Sequence, residues 1–360
     1  MSDEAVQTDA KVSPWISRQG LRATILGLVV FVAAALALSA WYRSAASRPP
    51  IAVLDQKLED FAAVEAPYDI VFLGSSQTFR HIDPAVIDTG LRQCGLALNS
   101  YNFGIPALRQ PELDYVAQQI LKSGKGPQLL VLQNPIRAET VFDNMMSPRG
   151  RYFRGGAYVD EALEDVQCYT GRRRGQARSL LNNLRVIVAE TFALGRMAET
   201  FVNRPDPQLA TYDQGFRENA GFWPVDADKS DHVVARLTNT PMTGDIIADA
   251  RARRGFAPAA DTVACRVRQL TETLSAFRDA GTDVAYYVSP APLDVVHDTA
   301  ITRAMAARNR DVPILDFNTP EERPQYFDPQ LWFDSAHLTG EGARRLSADV
   351  AVRLCDVMGK

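Results

Sequence analysis

Apolar runs separated by polar turns fill most of this 360-residue chain. The longest run, Ala23 to Tyr42 (ATILGLVVFVAAALALSAWY), carries no charge. As a helix rising ~1.5 Å per residue it spans a hydrocarbon core of ~30 Å. It ends on Trp41 and Tyr42, residue types that favour the bilayer interface, and it exceeds the ~7–15 apolar residues of a secretory signal. The pattern predicts a retained transmembrane anchor at 23–42, with cleavage near Ala35-Leu36-Ala37 as the alternative. Lys11, Arg18 and Arg22 before it nearly balance Arg43, Arg48 and Lys57 after it. The short tail, 1–22, is assigned to the cytoplasm and the rest of the chain to the outside of the inner membrane, the periplasm.

Beyond the anchor, 43–68 reads as a juxtamembrane linker and a short helix that lifts the domain off the bilayer, with Ile51, Leu54, Leu58 and Phe61 at helical spacing. Five short apolar runs follow: Asp69–Leu73, Ser100–Phe103, Gln128–Leu132, Asp283–Val288 and Pro313–Phe317, each stopping at a polar or glycine turn. Helical patterns at Pro84–Arg92, Gln110–Lys122, Thr262–Ala280, Thr299–Arg308 and Gly340 to about Met358 alternate with them. Strands alternating with helices predict an α/β domain over 69–360 with a buried five-stranded parallel sheet. The alternation breaks at about 138–260, an arginine-, glycine- and proline-rich insertion with one helix, Ser179 to about Phe201. Its Leu180, Leu184, Ile187 and Val188 are expected to pack on the sheet domain, a membrane- or partner-facing cap being the alternative.

At 46% hydrophobic and 23% charged residues the chain has a globular composition. A net charge of −4 gives no general attraction to nucleic acid, and none is expected as a partner. The basic run Gly171-Arg-Arg-Arg-Gly175, with Arg178, reads as a solvated loop or a local anion site. Four cysteines (Cys94, Cys168, Cys265, Cys355) lack metal-ligand spacing, so no metal is expected. Outside the cytoplasm they could form two disulfides, in any of three pairings. Lys122-Ser-Gly-Lys-Gly126 lacks Walker spacing and no strand leads into Gly-x-Gly-x-x-Gly, so no nucleotide cofactor is expected either.

In open parallel sheets, ligands gather at the carboxyl ends of strands. Gly74-Ser75-Ser76 follows the first run and opens helical sequence, which sets a serine on a tight strand-to-helix turn; an ordinary turn and helix cap is the plainer reading. Asp334-Ser-Ala-His337 precedes the last helix, and Asp and His three apart can share one turn as a base and its orienting carboxylate. His81, His232 and His297 read as surface or internally satisfied histidines.

These segments together resemble the SGNH (GDSL-type) esterase superfamily. Val71-Phe-Leu-Gly-Ser-Ser-Gln-Thr78 is similar to its first block with Ser76 as nucleophile, and Tyr101-Asn-Phe-Gly-Ile-Pro106 to its second, with Gly104 as an oxyanion donor. Leu130-Val-Leu-Gln-Asn134 stands where the third supplies an oxyanion asparagine, and Asp334-Ser-Ala-His337 matches the terminal Asp-x-x-His. Two departures stand out: Ser75 replaces the usual acidic residue, and Pro135 follows Asn134 where the family has Gly-x-Asn-Asp. The layout also resembles the membrane-anchored D-alanyl transfer proteins of teichoic acid modification and periplasmic polysaccharide O-acetyltransferase-type members.

The resemblance implies a flavodoxin-like three-layer α/β/α sandwich and a serine acyl esterase or O-acyltransferase with the triad Ser76, His337 and Asp334. Ser76, Gly104 and Asn134 are the implied oxyanion donors. The implied partners are an acylated glycan or envelope polymer and a membrane acyl-donor protein. The alternative is a non-catalytic protein of the same fold that binds or scaffolds an envelope polysaccharide complex.

Overall fold

The computed structural model describes residues 18–45, 51–134, 147–155, 158–168, 173–193, 215, 217–227 and 258–359. Five strands, β1 (Ile70–Gly74), β2 (Ser100–Gly104), β3 (Leu129–Gln133), β4 (Asp283–Val288) and β5 (Ile314–Asp316), form one sheet in the order β2-β1-β3-β4-β5. Every pairing is parallel, and Ile70 of β1 lies opposite both Ser100 and Leu129. A parallel sheet must be covered on both faces, which is why its strands read as continuous apolar runs.

Among the described residues the helices are α1 (Arg18–Ala45), α2 (Ala52–Ala63), α3 (Ser76–His81), α4 (Pro84–Gln93), α5 (Glu112–Lys122), α6 (Pro148–Tyr152), α7 (Val159–Cys168), α8 (Arg173–Thr191), α9 (Ala260–Asp279), α10 (Val295–Arg308) and α11 (Gly340–Met358). Val71, Leu73, Leu130 and Leu132 point to a core completed by Leu54 and Phe61 of α2, Val116 and Ile120 of α5, Leu270 and Leu274 of α9, and Ile301 and Met305 of α10. Ile70, Phe72, Leu129 and Val131 point the other way, onto Ile87 and Leu91 of α4 and Leu346, Val350 and Leu354 of α11.

Three expectations change. The juxtamembrane helix is not a spacer, because α2 buries Leu54, Lys57 and Phe61 within the domain. The insertion helix begins earlier, at Arg173, and turns most of its expected core face outward: Leu180, Leu184 and Val188 are 42%, 44% and 51% exposed, while Ile187 is half-buried. Its inner face combines Val186 and Ala189 with the polar Ser179, Asn183 and Glu190, and two buried arginines at α6 take their partners from it. Arg154 donates to Asn183 Oδ1 at 3.0 Å, and Arg151 pairs with Glu190. Finally, α10 starts four residues before the predicted Thr299.

Two disulfides close the fold, Cys94–Cys355 between the end of α4 and α11, and Cys168–Cys265 between α7 and α9. The apolar helix α1 contains, within Gln19–Tyr42, an 18-residue window of mean hydropathy 2.4 of which only 6% is buried, so it is no core helix; it is long and apolar enough to cross a membrane.

Candidate active site

The chain turns sharply at the carboxyl end of β1, next to the point where strand order reverses between β1 and β3. Crevices in doubly wound sheets open there. Ser75 holds the N-cap position of α3 with extended backbone, which makes Ser76 the first helical residue. The N–H groups of a helix's first turn have no intrahelical acceptor, so Ser76 presents both its hydroxyl and its amide at the sheet edge.

Gln133, the last residue of β3, holds this turn. Its Oε1 accepts from the Ser75 N–H at 2.8 Å, the Ser75 hydroxyl at 3.2 Å, the Thr78 N–H at 3.2 Å and the Thr78 hydroxyl at 2.6 Å. Its amide nitrogen donates to Gln77 Oε1 at 2.7 Å. On the other side Asn102 of β2 donates to the carbonyls of Thr78 (2.7 Å) and Ile82 (2.6 Å), tying down the far end of α3. A single amide in an apolar run carries no sequence signal of such a role, and neither residue was singled out from the sequence.

His337 comes from the loop before α11, 261 residues away in sequence, and its Nε2 lies 2.9 Å from Ser76 Oγ. Its Nδ1 is 3.0 Å from both carboxylate oxygens of Asp334. A carboxylate only accepts, so Nδ1 carries the proton and the Nε2 lone pair faces the serine hydroxyl. Asp334 Oδ1 also accepts the N–H groups of Ala336 and His337, each at 2.8 Å. Partial burial raises its pKa, but the His337 ring and these N–H donors outweigh it and hold Asp334 at about 2. The carboxylate is therefore ionised at neutral pH. The loop is clamped by a main-chain pair, Phe333 N–H to His337 O at 2.8 Å, and Thr339 caps α11 by accepting from the Gly342 N–H.

His81 is satisfied, as expected, but buried rather than superficial. Its Nε2 accepts the Leu338 N–H at 2.9 Å, so Nδ1 carries the hydrogen and donates to Ser289 Oγ at 2.8 Å. Burial first, then the nearby His337, pushes its pKa well below the ordinary value. A neutral ring thus bridges α3, the end of β4 and the loop carrying His337. The insertion also returns to this edge: Arg80 donates to the carbonyls of Trp223 and Pro224, and Asp226 accepts the Gly340 N–H at 3.0 Å.

The expected oxyanion donors are placed differently from one another. Ser76 carries its amide at the site, whereas the Gly104 N–H donates to Asn102 Oδ1 at 2.8 Å and the Asn134 amide to Asp298 Oδ1 at 2.8 Å. Gly104 is needed for close approach instead, since a Cβ there would lie 2.2 Å from the Phe79 nitrogen. His232 lies outside the described residues, as does the side chain of His297; of the Gly171–Gly175 run only the backbone from Arg173 is described. Searches against family models, curated proteins and solved structures find no match for this chain.

Proposed function

We propose that this protein is an extracytoplasmic serine acyl esterase or O-acyltransferase of SGNH type, acting on an acylated envelope glycan. The observation that carries the reading is the Ser76–His337–Asp334 relay, with 2.9 Å on the serine side and 3.0 Å on the carboxylate side. Ser76 Oγ bonds to the ester carbonyl carbon as its proton passes to His337 Nε2, and the imidazolium is stabilised by Asp334. The Ser76 N–H faces the developing oxyanion, where one donor is worth ~3–4 kcal/mol. His337 then returns the proton to the leaving alkoxide as its C–O bond breaks. Water or a sugar hydroxyl attacks the acyl-enzyme by the same proton route, which gives hydrolysis or transfer. Two disulfides and the apolar helix support an oxidising location outside the cytoplasm, with α1 as anchor.

A second reading, a non-catalytic binding or scaffold protein, draws on the internal engagement of the Gly104 and Asn134 donors. Fluorophosphonate labelling of the full-length protein separates the two. The catalytic reading expects labelling of the wild type and none of Ser76→Ala or His337→Ala. A folded wild type that stays unlabelled refutes it.

A further inference from the structure

Helix α2 begins at the same edge as Ser76. Near its start α2 packs Val53 against Phe79 and Trp223, and Lys57 donates to the carbonyls of Asn102 at 2.7 Å and Gly104 at 2.8 Å, at the carboxyl end of β2. Lys57 Nζ also stands 4.7 Å from the centroid of the Phe79 ring, three residues after Ser76. The far end of α2 lies at the opposite edge, where Lys125, just past α5, holds the carbonyls of Ala62 and Val64. The helix therefore runs from the catalytic edge to the rear of the sheet. Only residues 46–50 separate Ala45 of α1 from Ile51. At no more than ~3.6 Å per residue they hold Ile51 within ~22 Å of the end of α1.

The insertion adds an independent observation. Arg149 of α6 donates to the Pro106 carbonyl at 2.8 Å and pairs with Glu112 at the start of α5, both at the carboxyl edge. Through Arg151 and Arg154 the same segment carries α8, whose outer face exposes Leu180, Leu181, Leu184 and Val188 beside exposed Arg178 and Arg185. An apolar ridge flanked by arginines suits the interface of an anionic bilayer.

We infer that the carboxyl edge of the sheet faces the membrane and that the acylated glycan acted on at Ser76 is carried on a membrane lipid. This rests on the serine acyl-transfer reading and on α1 as the anchor. The apolar ridge on α8 favours direct lipid contact over an interposed protein donor.

The test uses the full-length protein in phosphatidylglycerol-containing vesicles and one chromogenic acetyl ester in two forms, soluble and attached to a lipid headgroup. A helical Glu-Ala-Ala-Ala-Lys spacer of about thirty residues placed within 46–50 lifts the domain by ~45 Å. Turnover of the lipid-borne ester is expected to fall by ~10-fold or more with the spacer, through lost effective concentration, while soluble-ester turnover and fluorophosphonate labelling are unchanged. The Leu181→Glu/Leu184→Glu protein is expected to behave likewise. If the soluble ester is turned over but the lipid-borne ester is refused, or is insensitive to the spacer, the membrane inference falls and the serine reading stands. If neither ester is turned over and no label is taken up, the serine reading falls and takes the inference with it.

Discussion

The backbone N–H of Leu338 donates to His81 Nε2 at 2.9 Å, which fastens the residue after His337 to the last residue of the helix that Ser76 opens. The approach of His337 to Ser76 thus depends on a neutral imidazole that stands outside the Ser76–His337–Asp334 relay. Because burial lowers the His81 pKa, the unfolded chain takes up a proton near the ordinary value of ~6.5 that the folded chain refuses. The unfolded state binds more protons below that pH, so stability is lost as pH falls. Urea midpoints of the wild type should drop between pH 7.5 and 5.5. His81→Gln, which can keep an acceptor for Leu338 but cannot protonate, should show a shallower drop; an equal drop would discount His81.

Gln133→Leu should strip the Ser75–Thr78 turn of its shared acceptor. The buried N–H groups of Ser75 and Thr78 would be orphaned at ~1–3 kcal/mol each, so a lower Tm is expected together with slower labelling of Ser76. Unchanged labelling kinetics at a temperature where the variant is folded would show that the turn holds its shape without Gln133.

Gly104→Ala retains the amide but places a Cβ 2.2 Å from the Phe79 nitrogen, a backbone atom of α3 with little room to yield. The overpacking should cost ~1–3 kcal/mol and displace Ser76 from His337. Chemical denaturation and labelling rate check both effects. Wild-type behaviour in both would mean that β2 and α3 can part without consequence.

Asp334→Asn preserves an oxygen for the Ala336 and His337 N–H groups but removes the charge that fixes the imidazole tautomer. Ester turnover at neutral pH should fall on the order of 10³–10⁴-fold with little change in fold. With a folded pKa of about 2 against ~3.9 unfolded, the wild-type carboxylate stabilises the protein fully above ~pH 4, and that contribution is lost as pH falls toward 2. In Asp334→Asn this part of the acid transition should disappear from a pH series of urea midpoints.

Much of the frame is legible in the sequence. The strands stood out because a sheet covered on both faces demands uninterrupted apolar runs, and Asp334 and His337 because three residues span a single turn. The start of α11 at Gly340 was legible in its helical pattern, and the Thr339 hydroxyl caps it. The face of α8 was misread because periodicity reports which residues are apolar and not what lies opposite. Here buried arginines claimed the polar side and left the leucines outside.

The amino-acid order alone determined the apolar anchor-length helix, the alternation that makes a parallel sheet, and the local turns bearing Ser76 and the Asp334–His337 pair, since each depends on neighbours a few residues apart. Tertiary structure decided which cysteines meet, how Gln133, Asn102 and His81 hold the turn and the loop, and that α2 packs against α3. Those contacts join residues distant in the chain, and only closure of the whole sheet brings their hydrogen-bonding groups within reach.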